Sequence, residues 1–437
     1  MGAIDNIEFS DQSVSAWGGM KLMKDLLDSS KIKEQLFELP LPERGSNRGY
    51  EPVQILECFW TSVWIGAGRF SHSAYLRYDE VLKQIFDWKQ APSQSTYSRF
   101  FNKFDWRRNT ETFVPLFNWF FNQIRFNSIT LDLDSTVITR YGEPQGAKKG
   151  YNTRKPGRNS HHPIMAFIPE LRMIANAWMR QGNTGATSSV KLFLEETLEI
   201  LDNKNVGLIR CDSGFYSHDF LSELEKKKLN YVVAVKFYPT IKRELRSLTN
   251  WITIKDGVEI CEFYYQSPEW KESRRMVAVR KNTNKLKKAT GKLLLFDEQI
   301  LTYRYSLYVT NLDLPAEQIW ELYKQRGDAE NRIKELKYDF ALETFCINNF
   351  WGTEAAFRSV LMAYNLMALF RQIVLKNKSQ ATLSTLRFKC FALGAWITKH
   401  ARITTLKISA KGEKRRWLDA LFDTIPKQIA PYNFSNA

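Results

Sequence analysis

Three carboxylates stand where a chain can put metal-dependent chemistry. Asp134 lies in Ile129-Thr-Leu-Asp-Leu-Asp-Ser-Thr-Val137, where apolar and polar residues alternate as in a half-buried strand. Asp212 follows the short apolar run Val206 to Cys211 in Arg210-Cys-Asp-Ser-Gly-Phe-Tyr216, at the end of a second predicted strand. Strand ends are where a sheet presents side chains to a ligand at its edge. Glu330 lies in a long amphipathic segment. Three carboxylates without a histidine partner suit hard, oxygen-preferring ions such as Mg²⁺ or Mn²⁺. Two such ions about 4 Å apart activate an attacking oxygen and stabilise a leaving one in phosphodiester chemistry. On the first strand Asp132 shares a face with Asp134, so either is a candidate ligand.

The segment around Glu330 carries more. A continuous helix from Pro315 to about Tyr338 places Tyr323, Arg326, Glu330 and Lys337 at about 0°, 300°, 340° and 320° around its axis. Leu322, Ala329, Ile333, Leu336 and Phe340 cluster near about 250° and form the packing stripe. A carboxylate flanked by Arg, Lys and Tyr can hold a metal while its neighbours hold phosphates.

The elements that must position these residues follow from the periodicity. Residues 1–125 look helical, with a capped helix opened by Ser93 that carries Arg99 and Lys103 on one face. That helix reads equally as part of a helix-turn-helix on DNA or as a helix with solvated charges. From Ser128 the order is strand, strand, strand, helix, strand, helix, strand, ending near Phe237. This order is that of an RNase H-like α/β fold, a mixed sheet with flanking helices. The segment 239–299 is hairpin-rich and basic, with nine lysines and arginines between Lys271 and Lys292. It reads as a small inserted β-domain. The strand Tyr305 to Thr310 resumes the main fold, and helices fill the rest. The expected division is a helical DNA-binding region 1–125, an RNase H-like domain in two parts, 126–238 and 300–376, the inserted β-domain 239–299, and a helical region 377–437 suited to dimerisation.

At this point the chain resembles bacterial insertion-sequence DDE transposases, the cut-and-paste, hairpin-forming group. The spacing Tyr323-x2-Arg326-x3-Glu330-x6-Lys337 is similar to that group's signature, and Asp134-Ser-Thr and Asp212-Ser-Gly-Phe-Tyr resemble its two aspartate motifs. The gap of 118 positions between Asp212 and Glu330 matches a family with an insertion there. The resemblance implies that Asp134, Asp212 and Glu330 hold a pair of Mg²⁺ or Mn²⁺ ions. It implies that Tyr323, Arg326 and Lys337 contact phosphates near a transposon end. Its expected partners are the terminal inverted repeats of an insertion sequence and target DNA, with a homodimer in the synaptic complex. A DNA-binding protein derived from a transposase, and an RNase H-like nuclease without strand transfer, are the alternatives.

The remaining features agree with DNA as partner. The 63 lysines and arginines exceed the 47 acids, giving a net charge of +16, which favours a polyanion. The basic turn Arg154-Lys-Pro-Gly-Arg158 offers Arg154, Lys155 and Arg158 to phosphates, whereas the adjacent His161 and His162 point opposite ways on a strand and make a poor metal pair. Trp251 and Trp270 either stack on a flipped base or fill a core. Five scattered cysteines read as reduced core thiols, and the N-terminus shows no signal-peptide pattern. The longest apolar run, Val360 to Phe370, is about half a membrane span and reads as a buried helix. These features point to a cytoplasmic protein with no membrane partner, and the resemblance implies a bacterial, nucleoid-associated one.

Overall fold

In the computed structural model, residues 6–282, 303–376, 381–425 and 432–433 are described. The chain divides into two compact units. One comprises residues 125–141 and 146–333; the other is built mainly from residues 1–124 and 334–432.

The first unit is organised on a nine-stranded sheet. Its strands are β1 (Ile129–Ser135), β2 (Ile164–Ile168), β3 (Met173–Trp178), β4 (Val206–Cys211), β5 (Tyr231–Ala234), β6 (Ile252–Lys255), β7 (Val258–Tyr265), β8 (Arg274–Asn282) and β9 (Tyr303–Thr310). The spatial order is β6-β7-β8-β9-β5-β4-β1-β2-β3. The pairs β1–β4 and β4–β5 are parallel, and all other neighbours are antiparallel. Strands β1 to β5 thus form the predicted RNase H-like core, with helices α1 (Val190–Leu201) and α2 (His218–Lys226) in the crossovers. Helix α1 packs on β3, where Trp178 and Phe193 meet edge to face at 5.4 Å.

The inserted segment is not a separate small domain. Strands β7 and β8 run on from β9 in unbroken register, and their apolar residues share one core with the main fold. Val258, Ile260, Val277 and Val279 pack with Leu208, Val232, Ile319 and Trp320. A hairpin-rich segment with β-branched residues on one face adds to an open sheet edge as readily as it closes on itself, and here the exposed edge of β9 received it. Its basic run is also less free than expected. Arg274, Arg275 and Arg280 pair with Glu225, Glu262 and Glu259, while Lys285 to Lys292 lie outside the described residues.

The second unit is helical around Phe350–Ile373, a helix buried on nearly every side, with apolar residues all round it and its buried charges paired, Arg358 with Glu354 and Arg371 with Glu335. Helices Pro52–Ile65, Gln94–Asn102 and Trp106–Asn122 pack on it. Trp60 donates to Ser359 Oγ and Trp64 to the Ala363 carbonyl, each at 3.0 Å. Ser93 caps Gln94–Asn102 as read from sequence, and Arg99 and Lys103 are exposed. Among the described residues no helix is long and apolar enough to cross a membrane. The region after 377 is not wholly helical. Ala395–His400 and Ile403–Ile408 form an antiparallel ribbon that pairs with Val14–Ser15. Six Ile and Thr residues in these strands, turned at Ala401 with φ 52°, explain the ribbon.

The shared core has a consequence that melting can check. Val277→Asp buries an unpaired charge between β7 and β9. The whole nine-stranded unit should then lose its folded signal in one transition, whereas an independent inserted domain would leave the rest of the sheet melting as before.

Candidate functional site

Asp134 sits at the C-terminal end of β1, and Asp212 immediately follows β4, its parallel neighbour. Adjacent parallel strands present their C-terminal ends at one edge, so the fold itself brings these two acids together. Asp212 is held by a local turn. Its Oδ1 accepts the Gly214 amide at 2.9 Å, and a Cβ at Gly214 would stand 2.9 Å from that same oxygen, which explains the glycine of the Asp-Ser-Gly motif. Asp134 Oδ1 accepts the Ser135 amide at 2.8 Å.

Asp132 occupies a different environment. It is fully buried and directly opposite Arg210 in the β1–β4 register. The Arg210 Nε and Nη2 donate to its two oxygens at 2.6 and 2.8 Å, a bidentate pair with no solvent access. The third bond of Arg210 goes further: Nη1 donates to the Leu322 carbonyl at 2.5 Å.

That bond has a visible effect on the helix expected to run unbroken to Tyr338. Helix α3 (Ala316–Lys324) stops and α4 (Gly327–Tyr338) begins after a turn at Gln325–Arg326. In an uninterrupted helix the Leu322 carbonyl would accept the amide of Arg326. Arg210 takes that carbonyl, and the Arg326 amide bonds to Tyr323 O at 3.0 Å instead, three residues back. The glycine at 327 lowers the cost of the break. The angular count made from sequence therefore fails across 325–326. Arg326 turns inward, 93% buried, and its Nη2 lies 3.0 Å from Asp134 Oδ2. Glu330 stays exposed on α4. The packing stripe holds in outline, with Ala329, Leu336 and Phe340 buried and Leu322 and Ile333 half-buried.

The electrostatics follow from this packing. Burial raises the Asp134 carboxyl to about 6; Arg326 opposes the rise, while Asp212 and then Glu330 add like-charge repulsion. Arg326 is held firmly protonated against its own burial by Asp134 and Asp212, and its Nε is buried with no hydrogen-bond partner among the described residues. Tyr323 is largely buried, its ring 4.4 Å from that of Tyr308, and burial drives its hydroxyl well above the usual range. Among the described residues no three His, Cys, Asp or Glu side chains stand close enough to close around a metal ion. Asp134 and Asp212 are assembled; Glu330 is within their field but not within a shared cage.

The other candidates divide. Lys337 belongs to the helical unit and pairs there with Glu343. Arg154, Lys155 and Arg158 are exposed on the turn between two short strands, with the Lys155 ammonium 4.9 Å from the centre of the Tyr141 ring. His161 and His162 are buried and bonded to Arg140 and to the Thr184 carbonyl, in keeping with a structural role. Trp270 is buried between His218 and Arg274, and Trp251 is half-buried beneath Arg280. Two arginines escaped the sequence reading. One is Arg210, although an arginine ending an apolar strand needs an acid, and Asp132 was there to supply it. The other is Arg180, buried and donating to the carbonyls of His162, Gly185, Ala186 and Ser188; it pins the loop whose Ala186 touches the Asp212 turn.

The family model described as Transposase DDE domain group 1 matches residues 6–429. No curated protein matches the sequence. Among solved structures the fold is similar to that in "Cryo-EM structure of piggyBac transposase synaptic complex with hairpin DNA (SNHP)", at 13% identity over 87% of this chain and 81% of that one, with a TM-score of 0.48.

Two measurements separate the neighbouring aspartates. Asp132→Ala strands the Arg210 charge in the core and should cost about 3–5 kcal/mol in chemical denaturation, whereas Asp134→Asn should leave the unit folded. In chelator, the carboxyl at about 6 makes the folded state bind more protons than the unfolded state between pH ~4 and ~6. Stability of the metal-free protein should therefore fall as pH rises through that window, by up to about 1.4 kcal/mol per pH unit from this group, and level off above it. Asp134→Asn should remove this group's share of the slope, leaving the share of other carboxyls that burial raises, Asp132 and Glu57; an unchanged slope would show that Asp134 does not titrate in that window.

Proposed function

This chain belongs to the transposase DDE domain group 1 family and is a DNA transposase, a strand-cleaving and strand-transferring enzyme, and from that premise we propose that Asp134, Asp212 and Glu330 are its catalytic acids. The observation that carries the assignment is the pair of aspartates at the C-terminal ends of adjacent parallel strands, with Arg326 set against the first. The buried pairing of Asp132 with Arg210 supports Asp134 over Asp132 as the metal ligand on that strand.

Transposases of this family use divalent metal, and the chemistry of the donors suits one. All three donors are carboxylate oxygens, the preference of Mg²⁺ and Mn²⁺. Repulsion from Asp212 and Glu330 helps raise the Asp134 carboxyl, a repulsion that a divalent cation relieves. We take the number of ions to be two. Bound there, the metal supplies an activated oxygen nucleophile and charge for the leaving oxygen.

The chain's own residues do the rest. Arg326 neutralises the aspartates in the metal-free protein and has an unused Nε, so its planar fork is available to a phosphate once Asp134 is engaged elsewhere. Tyr323 lines the same edge. Lys337 and the exposed turn Arg154, Lys155 and Arg158 extend phosphate contacts along the DNA. The substrate is the terminal inverted repeat of an insertion sequence with the Tyr-x2-Arg-x3-Glu-x6-Lys signature. The end is cut and joined to target DNA through a hairpin intermediate, within a homodimer that pairs two ends on bacterial nucleoid DNA.

The test uses a labelled duplex carrying the inverted repeat that flanks the gene. Asp134→Ala, Asp212→Ala and Glu330→Ala should each take cleavage and joining below detection in Mg²⁺ while end binding stays within about twofold, because basic residues dominate affinity. Normal cleavage by Asp134→Ala would overturn the assignment. Cleavage by the wild-type protein without any joined product would reduce it to a nuclease.

A further inference from the structure

The ribbon after residue 394 carries an unusual concentration of charge. Residues 395–416 hold seven lysines and arginines against one acid, Glu413, a net +6 of the chain's +16 in 22 positions. Arg415 pairs loosely with Asp419 at 3.8 Å; none of the other six is paired with an acid among the described residues. Lys399, Arg402 and Lys407 on the ribbon, and Lys411, Lys414 and Arg416 at the start of helix Gly412–Thr424, are all exposed.

We infer that this ribbon and the adjoining helix start form a second DNA-binding surface, one that grips duplex DNA by its phosphates without reading sequence. Trp396 faces Lys407, Thr398 faces Thr405 and His400 faces Ile403 across the two strands. One face therefore carries Lys407 with the hydroxyls of Thr398 and Thr405, the opposite face carries Lys399 beside Thr404, and the turn at the tip adds Arg402, so that cations and hydroxyls flank the ribbon on both sides. Such side chains position a protein on the phosphate backbone. A two-stranded ribbon is narrow enough to enter a major groove about 12 Å wide. The composition argues against the dimer contact expected for this region, because interface cores are depleted in lysine and enriched in aromatics. Six unpaired cations on an exposed ribbon and helix start call for a partner whose charge repeats, which is the chemistry of a nucleic acid duplex.

The inference adds to the DNA chemistry proposed above but can fail separately from it, since the acids lie in the other unit. Full-length protein carrying Lys399→Ala, Arg402→Ala and Lys407→Ala is compared with wild type and with a control carrying Lys226→Ala, Arg243→Ala and Arg304→Ala, three exposed cations of the sheet unit. Affinity for a labelled random-sequence duplex is measured by fluorescence anisotropy across a salt series. The ribbon variant should lose roughly tenfold or more in affinity, and its log K against log salt slope should shrink by about 2 to 3, near 0.9 per phosphate contact removed. The control should change by less than about twofold. Unchanged affinity and slope in the ribbon variant would overturn the inference, as would a change in oligomeric state by light scattering with DNA affinity intact. A loss confined to one DNA sequence would overturn the sequence-independent reading. Should the triple variant not fold, lysine acetylation of the wild-type chain decides: Lys399, Lys407 and Lys414 must be protected by random duplex, and equal labelling with and without DNA refutes the surface.

Discussion

The bidentate pair between Asp132 and Arg210 organises the catalytic edge. Each partner stands two residues before a candidate catalytic aspartate, Asp134 on one strand and Asp212 just past the next. By locking β1 to β4 at that level, the pair fixes the separation of the acids that follow. Its third bond takes the Leu322 carbonyl out of the helix ladder, so α3 ends, and the tightened turn swings Arg326 onto Asp134. One guanidinium thus sets three segments at once. A buried ion pair is weak evidence for stability, since desolvation offsets most of the attraction. What it supplies here is geometry, which a pair of well-packed leucines would not.

The site itself is held under electrostatic tension. Asp134 and Asp212 repel, burial strengthens the repulsion, and Arg326 contains it in the absence of metal. Arg180 holds the neighbouring loop with a guanidinium whose pKa burial lowers to about 10 and which donates to the carbonyls of His162, Gly185, Ala186 and Ser188. Such departures from local optimality belong at functional sites and are tolerated because the surrounding sheet is rigid.

Most of the core was legible because alternation of apolar and polar residues reports burial directly. The strands at Ile129–Ser135 and Val206–Cys211 lie within a residue or two of their expected places, with Asp134 on the first and Asp212 directly after the second. The helix break was not legible, because its cause is a bond from Arg210, more than a hundred positions away, and angular counting assumes that the ladder is intact. The continuity of the inserted strands with the main sheet escaped for a related reason. Hairpin periodicity identifies strands but not which edge they pair with. The C-terminal ribbon left a local signal, its run of Ile and Thr, which the surrounding helices obscured.

The helix Phe350–Ile373 carries a consequence for how the protein is made. It is the core against which Trp60 and Trp64 find their partners, each bond spanning 299 positions of sequence. The N-terminal helices therefore leave the ribosome long before the element that buries them. At about 5–20 residues per second that interval is roughly 15 to 60 s. Over the same interval the sheet unit, contained in residues 125–333, has all its strands available. The order of synthesis thus puts the catalytic sheet ahead of the helical unit, and leaves an aromatic surface around Phe59, Trp60 and Trp64 waiting in the nascent chain, the kind of surface that chaperones hold.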